Sequence, residues 1–147
     1  KSQLKQPYYA KYLKKIIKKN NMQDHVIFLG NLSEEEMVKR FLKTHVFISP
    51  SIIENESNSL SEAKILGCPS VASYVGGVTN RILHGVDGFL YPLQETYMME
   101  YYIDQIFSHD DLAIQISTQA RINAHQLHDR EKNLNQMISI YKSILKD

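Results

Sequence analysis

Between Ser49 and Pro92 the chain reads SPSIIENESNSLSEAKILGCPSVASYVGGVTNRILHGVDGFLYP. Entering it, Val46-Phe47-Ile48-Ser49 is a β-branched and aromatic run that stops at Pro50, the pattern of a buried strand ending at a loop. Asn55 to Ser59 is polar and rich in helix-capping residues, and Leu60 to Leu66 follows a helical pattern closed by Gly67. Past Pro69, Ser70-Val71-Ala72-Ser73 is a second apolar strand, then comes Gly76-Gly77, and a third strand is expected near Phe89-Leu90-Tyr91. Strands alternating with helices predict a parallel sheet, whose ligands sit outside the carboxyl ends of the strands. Glu54 in the loop, the amides around Asn58 and Ser59, and Gly76-Gly77 are expected to converge there, with Glu62 in the first turn of the helix.

Such an arrangement suits a nucleotide-sugar. A helix N-terminus offers unsatisfied amides and the positive end of a dipole, both of which attract a diphosphate. A carboxylate accepts two hydroxyl hydrogen bonds at once, which fits the vicinal diols of ribose or a hexose. Glu54 and Glu62, with seven residues between them across an amide-rich turn, are placed to hold the two sugars that flank a diphosphate.

The ordered series Pro50-Ser51, Glu54, Glu62-Ala63, Gly67-Cys68-Pro69, Val71-Ala72-Ser73 and Gly76-Gly77 resembles the donor-binding, C-terminal domain of the group 1 family of retaining glycosyltransferases with GT-B architecture. The likeness is strong from about Val26 to Pro92 and weaker on the flanks. It implies a Rossmann-like parallel sheet with flanking helices, and a hexosyltransferase that uses a UDP- or GDP-linked sugar without a metal. It also implies roles: Glu54 contacts the transferred sugar, Glu62 holds the ribose, and the amides of Ser57, Asn58, Ser59 and Leu60 approach the diphosphate. Gly76 and Gly77 close the same pocket, and Gly30 and Asn31 line the base pocket through backbone groups. In that family the leaving diphosphate is thought to act as base, and any catalytic His comes from the other domain. The chain departs from the family at Val78-Thr79-Asn80, where Gly-Gly is usually followed by x-Pro-Glu, and at Asn55, Glu56 and Ser57, where glycines are common.

Each of these residues also has a plainer reading. Ser59 and Glu62 have the spacing of a capping box, which would make Glu62 structural. Glu56 reads as a solvated loop acid. Cys68, between Gly67 and Pro69, reads as a small buried residue rather than a nucleophile. His84, His109, His125 and His128 are scattered and form no metal-ligand spacing. Ser33-Glu34-Glu35-Glu36 is a capping box opening a helix that buries Met37, Phe41 and Leu42.

The 147 residues are 43% hydrophobic and 22% charged, enough for one domain with a core, and the single Cys excludes an internal disulfide. No apolar stretch is long enough to span a membrane, and no signal peptide is visible, so a cytoplasmic setting is expected. Although the net charge is +1, the first 23 residues carry seven Lys and no acid, leaving ten basic against 16 acidic residues beyond. Tyr9, Tyr12, Leu13, Ile16 and Ile17 recur at helical spacing among those lysines. This basic amphipathic helix is either a solvated face packed on a sheet, which is the reading taken here, or a peripheral contact with the inner face of a membrane. Nothing points to nucleic acid.

Val26-Ile27-Phe28-Leu29 reads as the first strand, ended by Gly30. Beyond Pro92, helices are expected at residues 96–107, 111–125 and 130–145, with Asp110 as an N-cap. The resemblance treats 1–147 as a partial donor domain lacking its first two strands, including the Gly-Arg and Lys-Gly loops that neutralise the diphosphate, and lacking the N-terminal acceptor-binding domain. It predicts that the chain alone is inactive. The alternative is a non-catalytic nucleotide-sugar-binding or scaffolding module on the same fold; a nucleotide-sugar epimerase is a weaker third.

Overall fold

In the computed structural model, which describes residues 7–145, the secondary structure follows the apolar periodicity through most of the chain. The elements in order are α1 (Pro7–Lys19), α2 (Glu34–Phe41), β1 (Phe47–Ser49), α3 (Asn58–Ile65), β2 (Ser70–Ser73), a short 3-10 turn (Gly76–Asn80), β3 (Phe89–Tyr91), α4 (Thr96–Ser108), α5 (Asp110–Leu127) and α6 (Arg130–Ile144). Two compact units are present, one up to Val38 and the other from Lys39 onward.

In the larger unit β1, β2 and β3 form a parallel sheet in that order, with Ile48 beside Val71 and Ala72 beside Leu90. A strand's side chains alternate between faces, so a sheet covered on both sides buries residues at every position, and any polar one among them, as Ser70 and Ser73 are here, needs a hydrogen-bond partner. β2 is buried at all four positions and β3 at all three. Ala72 and Leu90 join Leu60, Val78 and Ile82 in one cluster, while Val71, Phe89 and Tyr91 join Ile106 of α4 and Ile116 of α5 in another. This is the Rossmann-like layering expected of the sequence.

The turn from α3 into β2 explains Gly67. Its φ of +76° is left-handed, its amide donates to the Lys64 carbonyl at 3.0 Å, and the Cys68 amide donates to the Ala63 carbonyl at 2.8 Å. These two bonds make a Schellman motif, which satisfies the helix's last carbonyls and turns the chain at once into the sheet. Cys68 is buried beneath it, and burial pushes its thiol up to about 11.

Several expectations are corrected. Residues 26–29 form no strand, and Ile27, Phe28 and Leu29 are exposed. A β-branched run is extended only in potential; it becomes a strand when a neighbour satisfies its amides and carbonyls, and none of the paired strands does so here. Leu42 is exposed rather than buried, Met37 is half-buried, and Phe41 alone of the three packs inward, edge-on to Phe47 at 5.5 Å. Asp110 is the first residue of α5, and the cap position falls on His109. The Ser33 box forms as expected, the Ser33 amide donating to Glu36 at 2.8 Å and the Glu36 amide to the Ser33 hydroxyl at 3.3 Å.

In the smaller unit, α1 ends where Asn20 and Asn21 were expected to end it, Asn21 taking a left-handed φ of 56°. Ala10 is buried, but Tyr9, Tyr12 and Ile16 are exposed, so the apolar stripe is not covered as a packed helix requires. Among the described residues no helix is long and apolar enough to cross a membrane.

Candidate functional site

The loops that follow β1 and β2 are tied together by short polar bonds. Ser73, the last residue of β2, donates its hydroxyl to the Ser51 carbonyl at 2.6 Å, which fixes the start of the first loop over the end of the second strand. The Gly77 amide donates to the Glu54 carbonyl at 3.1 Å. Gly76 has a left-handed φ of +45°, and a Cβ on either glycine would collide with backbone oxygen, that of Glu54 for Gly76 and that of Asn55 for Gly77. Only glycine permits backbone to lie against backbone here, which is the physical content of the Gly-Gly pair. Glu54 and Gly76-Gly77 are therefore brought together, as the sequence predicts.

The helix N-terminus forms two residues earlier than predicted. Ser57 is the N-cap, its hydroxyl accepting the Leu60 amide at 3.3 Å, and α3 begins at Asn58. A buried Ser57 hydroxyl used this way closes one orphan donor, and the Ser61 amide finds the Ser57 carbonyl at 3.1 Å. Among the described residues the amides of Asn58 and Ser59 have no protein acceptor, and both residues are exposed. They carry the positive end of the helix dipole, four and five residues after Glu54 in the chain.

This shift changes the standing of Glu62. Five residues past the cap, it lies in the second turn and makes no capping bond; Ser59, its expected partner, is inside the helix. The box between Ser59 and Glu62 does not form. Glu62 is exposed and Glu54 half-buried, and neither carboxylate makes an ion pair or a hydrogen bond among the described residues. Leu60 contributes only its amide, since its side chain is fully buried in the core. Gly30 and Asn31 belong to the smaller unit, where Gly30 takes a φ of 73° and both residues are exposed.

A second set of residues, not singled out from the sequence, stands behind this loop. Lys64 of α3 is 4% exposed and pairs with Asp87, 1% exposed, at 2.8 Å. Asp87 accepts also from the Leu83 amide and from the Asn123 side chain of α5, both at 2.8 Å, and Lys64 donates to the Arg81 carbonyl. Arg81 in turn pairs through its guanidinium with Glu56. Glu56 is therefore bonded to a partner and is not simply solvated. The sequence held one clue: Lys64 is four residues after Leu60, on the buried side of the helix, and a lysine there needs an anion. Nearby, His128 lines a cleft of about 450 Å³ with Arg81 and Lys132. Burial and the charges of Arg81 and Lys64 hold its imidazole below the ordinary range. Among the described residues no three of His, Cys, Asp and Glu gather as metal ligands.

Residues 6–123 match the family model described as "Glycosyl transferases group 1". The chain belongs to the group 1 glycosyl transferases. Among curated group 1 relatives, it is 25% identical over 132 residues to N-acetyl-alpha-D-glucosaminyl L-malate synthase of Bacillus anthracis, covering 90% of this chain and 34% of that protein. The chain thus spans about a third of the length of the curated relatives it matches. Among solved structures, a glycosyltransferase from Rickettsia africae matches 99% of this chain and 39% of its own, at 25% identity and a TM-score of 0.84. Anabaena HepE, crystallised with UDP and glucose, matches 92% and 36%, at 25% identity and a TM-score of 0.79. The matched portion of such GT-B glycosyltransferases is the C-terminal Rossmann-like domain, whose open parallel sheet and flanking helices this chain reproduces.

Proposed function

We propose that the chain is the donor-binding portion of a retaining glycosyltransferase that moves a hexose from a nucleotide-sugar to a glycan or lipid-linked acceptor. The observation that carries this is the pair of free carboxylates, Glu54 and Glu62, on either side of an α3 N-terminus whose Asn58 and Ser59 amides are open. Glu62, released from capping by Ser57, is free to accept both ribose hydroxyls; Glu54 does the same for the transferred sugar. The amides of the 57–60 turn take the diphosphate, stabilising the charge that grows on it as the sugar leaves. Glu54 is the residue nearest the chemistry, and no metal is needed by this donor set. The bound UDP of HepE makes a uridine nucleotide the first to try, with GDP next.

The acceptor is assigned to a separate N-terminal domain, and the chain alone is proposed to be inactive, in keeping with its covering 34% of a whole relative. A cytoplasmic protein is proposed, with α1 resting on an anionic membrane face through its lysines and the exposed Tyr9, Tyr12 and Ile16. Each Lys near such a surface contributes roughly 1 kcal/mol. Asn80, where the family usually has an acid, favours a second reading as a nucleotide-sugar-binding module without catalysis.

Calorimetric titration with UDP, GDP and ADP, repeated with Glu62→Gln, tests the proposal. One nucleotide is expected to bind, and the substitution to weaken it by roughly 1.5–3 kcal/mol. Equal affinity in the variant removes Glu62 from the site, absence of any binding favours a protein without a donor, and turnover by this chain alone refutes its proposed inactivity.

A further inference from the structure

The loop from Glu54 to Ser57 has no glycine and no regular structure, yet it must hold the Glu54 carboxylate and the first α3 amides in one arrangement. Two contacts fix it from the same side. At one end the Gly76-Gly77 backbone lies on the Glu54 and Asn55 carbonyls. At the other, Arg81, the C-cap of the same short turn, reaches Glu56. Arg81 is itself anchored. Its carbonyl accepts from Lys64, Lys64 is paired with Asp87, and Asp87 is held by Asn123 from α5 and by the Leu83 amide. The chain of bonds runs from a buried ion pair to the acid two residues after Glu54.

We infer that Arg81 is a positioning residue for the nucleotide: through Glu56 it holds the 54–57 loop against the Gly76–Asn80 turn. Arg81 touches no reacting atom in this account; it acts through Glu56 alone. The assignment rests on the donor site proposed above. It explains how a loop with Asn55, Glu56 and Ser57 keeps its shape, the side chains taking over what glycine would leave to the backbone. Glu56 is more than half exposed and Arg81 about a fifth, so the pair is open to salt. A polar latch of that kind is adjustable, unlike the buried Lys64–Asp87 pair behind it.

The test uses hydrogen exchange, read residue by residue by NMR, at the Gly77 amide bonded to Glu54 and the Leu60 amide bonded to Ser57. Arg81→Met and Glu56→Gln are each expected to speed exchange at both by about two- to fivefold, as loss of an exposed pair would. The charge-reversed pair, Glu56→Arg with Arg81→Glu, is expected to restore most of the protection, and 1 M salt to loosen the natural protein but not the doubly neutral variant. UDP affinity should fall by a similar factor in the single variants and recover in the reversed pair. Unchanged exchange in the single variants overturns the inference, as does exchange that rises while UDP affinity holds. If natural protein fails to bind UDP, the donor-site proposal falls, and the exchange data still decide whether Arg81 holds the loop.

Discussion

Lys64 is the residue whose environment is most demanding. An ammonium and a carboxylate are both withdrawn from water, and the cost is offset by the bonds around them: Asp87 takes three donors and Lys64 two acceptors. Removing one partner leaves the other charged and buried. Lys64→Met is therefore expected to destabilise the fold by about 3–5 kcal/mol, whereas Lys64→Met combined with Asp87→Leu should recover much of that, because a buried pair is often replaceable by apolar groups. Urea midpoints of the two proteins decide it; a double variant as unstable as the single one means that Asp87 is needed for the Leu83 and Asn123 bonds alone. The meeting of Glu54 with the glycine pair was legible, since loops that follow neighbouring parallel strands converge at their carboxyl ends. The sequence left Arg81 and Asp87 illegible, because an ion pair between residues 23 apart leaves no local pattern.

The start of α3 shows what separates a spacing from a bond. Ser57 and Ser59 are both competent caps, and Ser59 with Glu62 has the textual form of a box. The helix begins where its first apolar residue can be buried: starting at Asn58 places Leu60, Ala63 and Lys64 on the inner side, all of them buried. Packing thus outranks the capping preference, which is worth only about 1 kcal/mol. Ser57→Ala is expected to cost roughly 0.5–2 kcal/mol and Ser59→Ala less than about 0.5 kcal/mol, measured by denaturant unfolding. Equal losses would return the cap to Ser59 and Glu62 to a structural role. The same rule of element and neighbour explains residues 26–29, whose composition is that of a strand and whose paired partner is missing among the described residues.

At the scale of the molecule, the sheet and both core clusters lie in the larger unit. Its sheet is covered on both faces, by α3 on one side and by α4 and α5 on the other, and the apolar residues Val71, Ala72, Phe89, Leu90 and Tyr91 made such a two-sided burial legible. The apolar residues Met137, Ile138, Tyr141 and Ile144 of α6 had the same appearance and are all exposed, with no residue of α6 buried. Periodicity shows that a helix has an apolar face, and says nothing of whether the chain supplies what covers it. Beneath the Schellman turn, Cys68 offers a clock for this unit. Its thiol is buried and set toward the Thr44 and Pro69 carbonyls, and its thiolate is scarce, so a disulfide reagent at pH 8 can react only during moments when the packing around it opens. Labelling is expected to run at least about a thousandfold slower than in urea and to slow further with any ligand that binds the folded form, turning a single sulfur atom into a readout of occupancy. Complete reaction within seconds in native buffer would mean that the packing around Cys68 opens far more often than its burial implies.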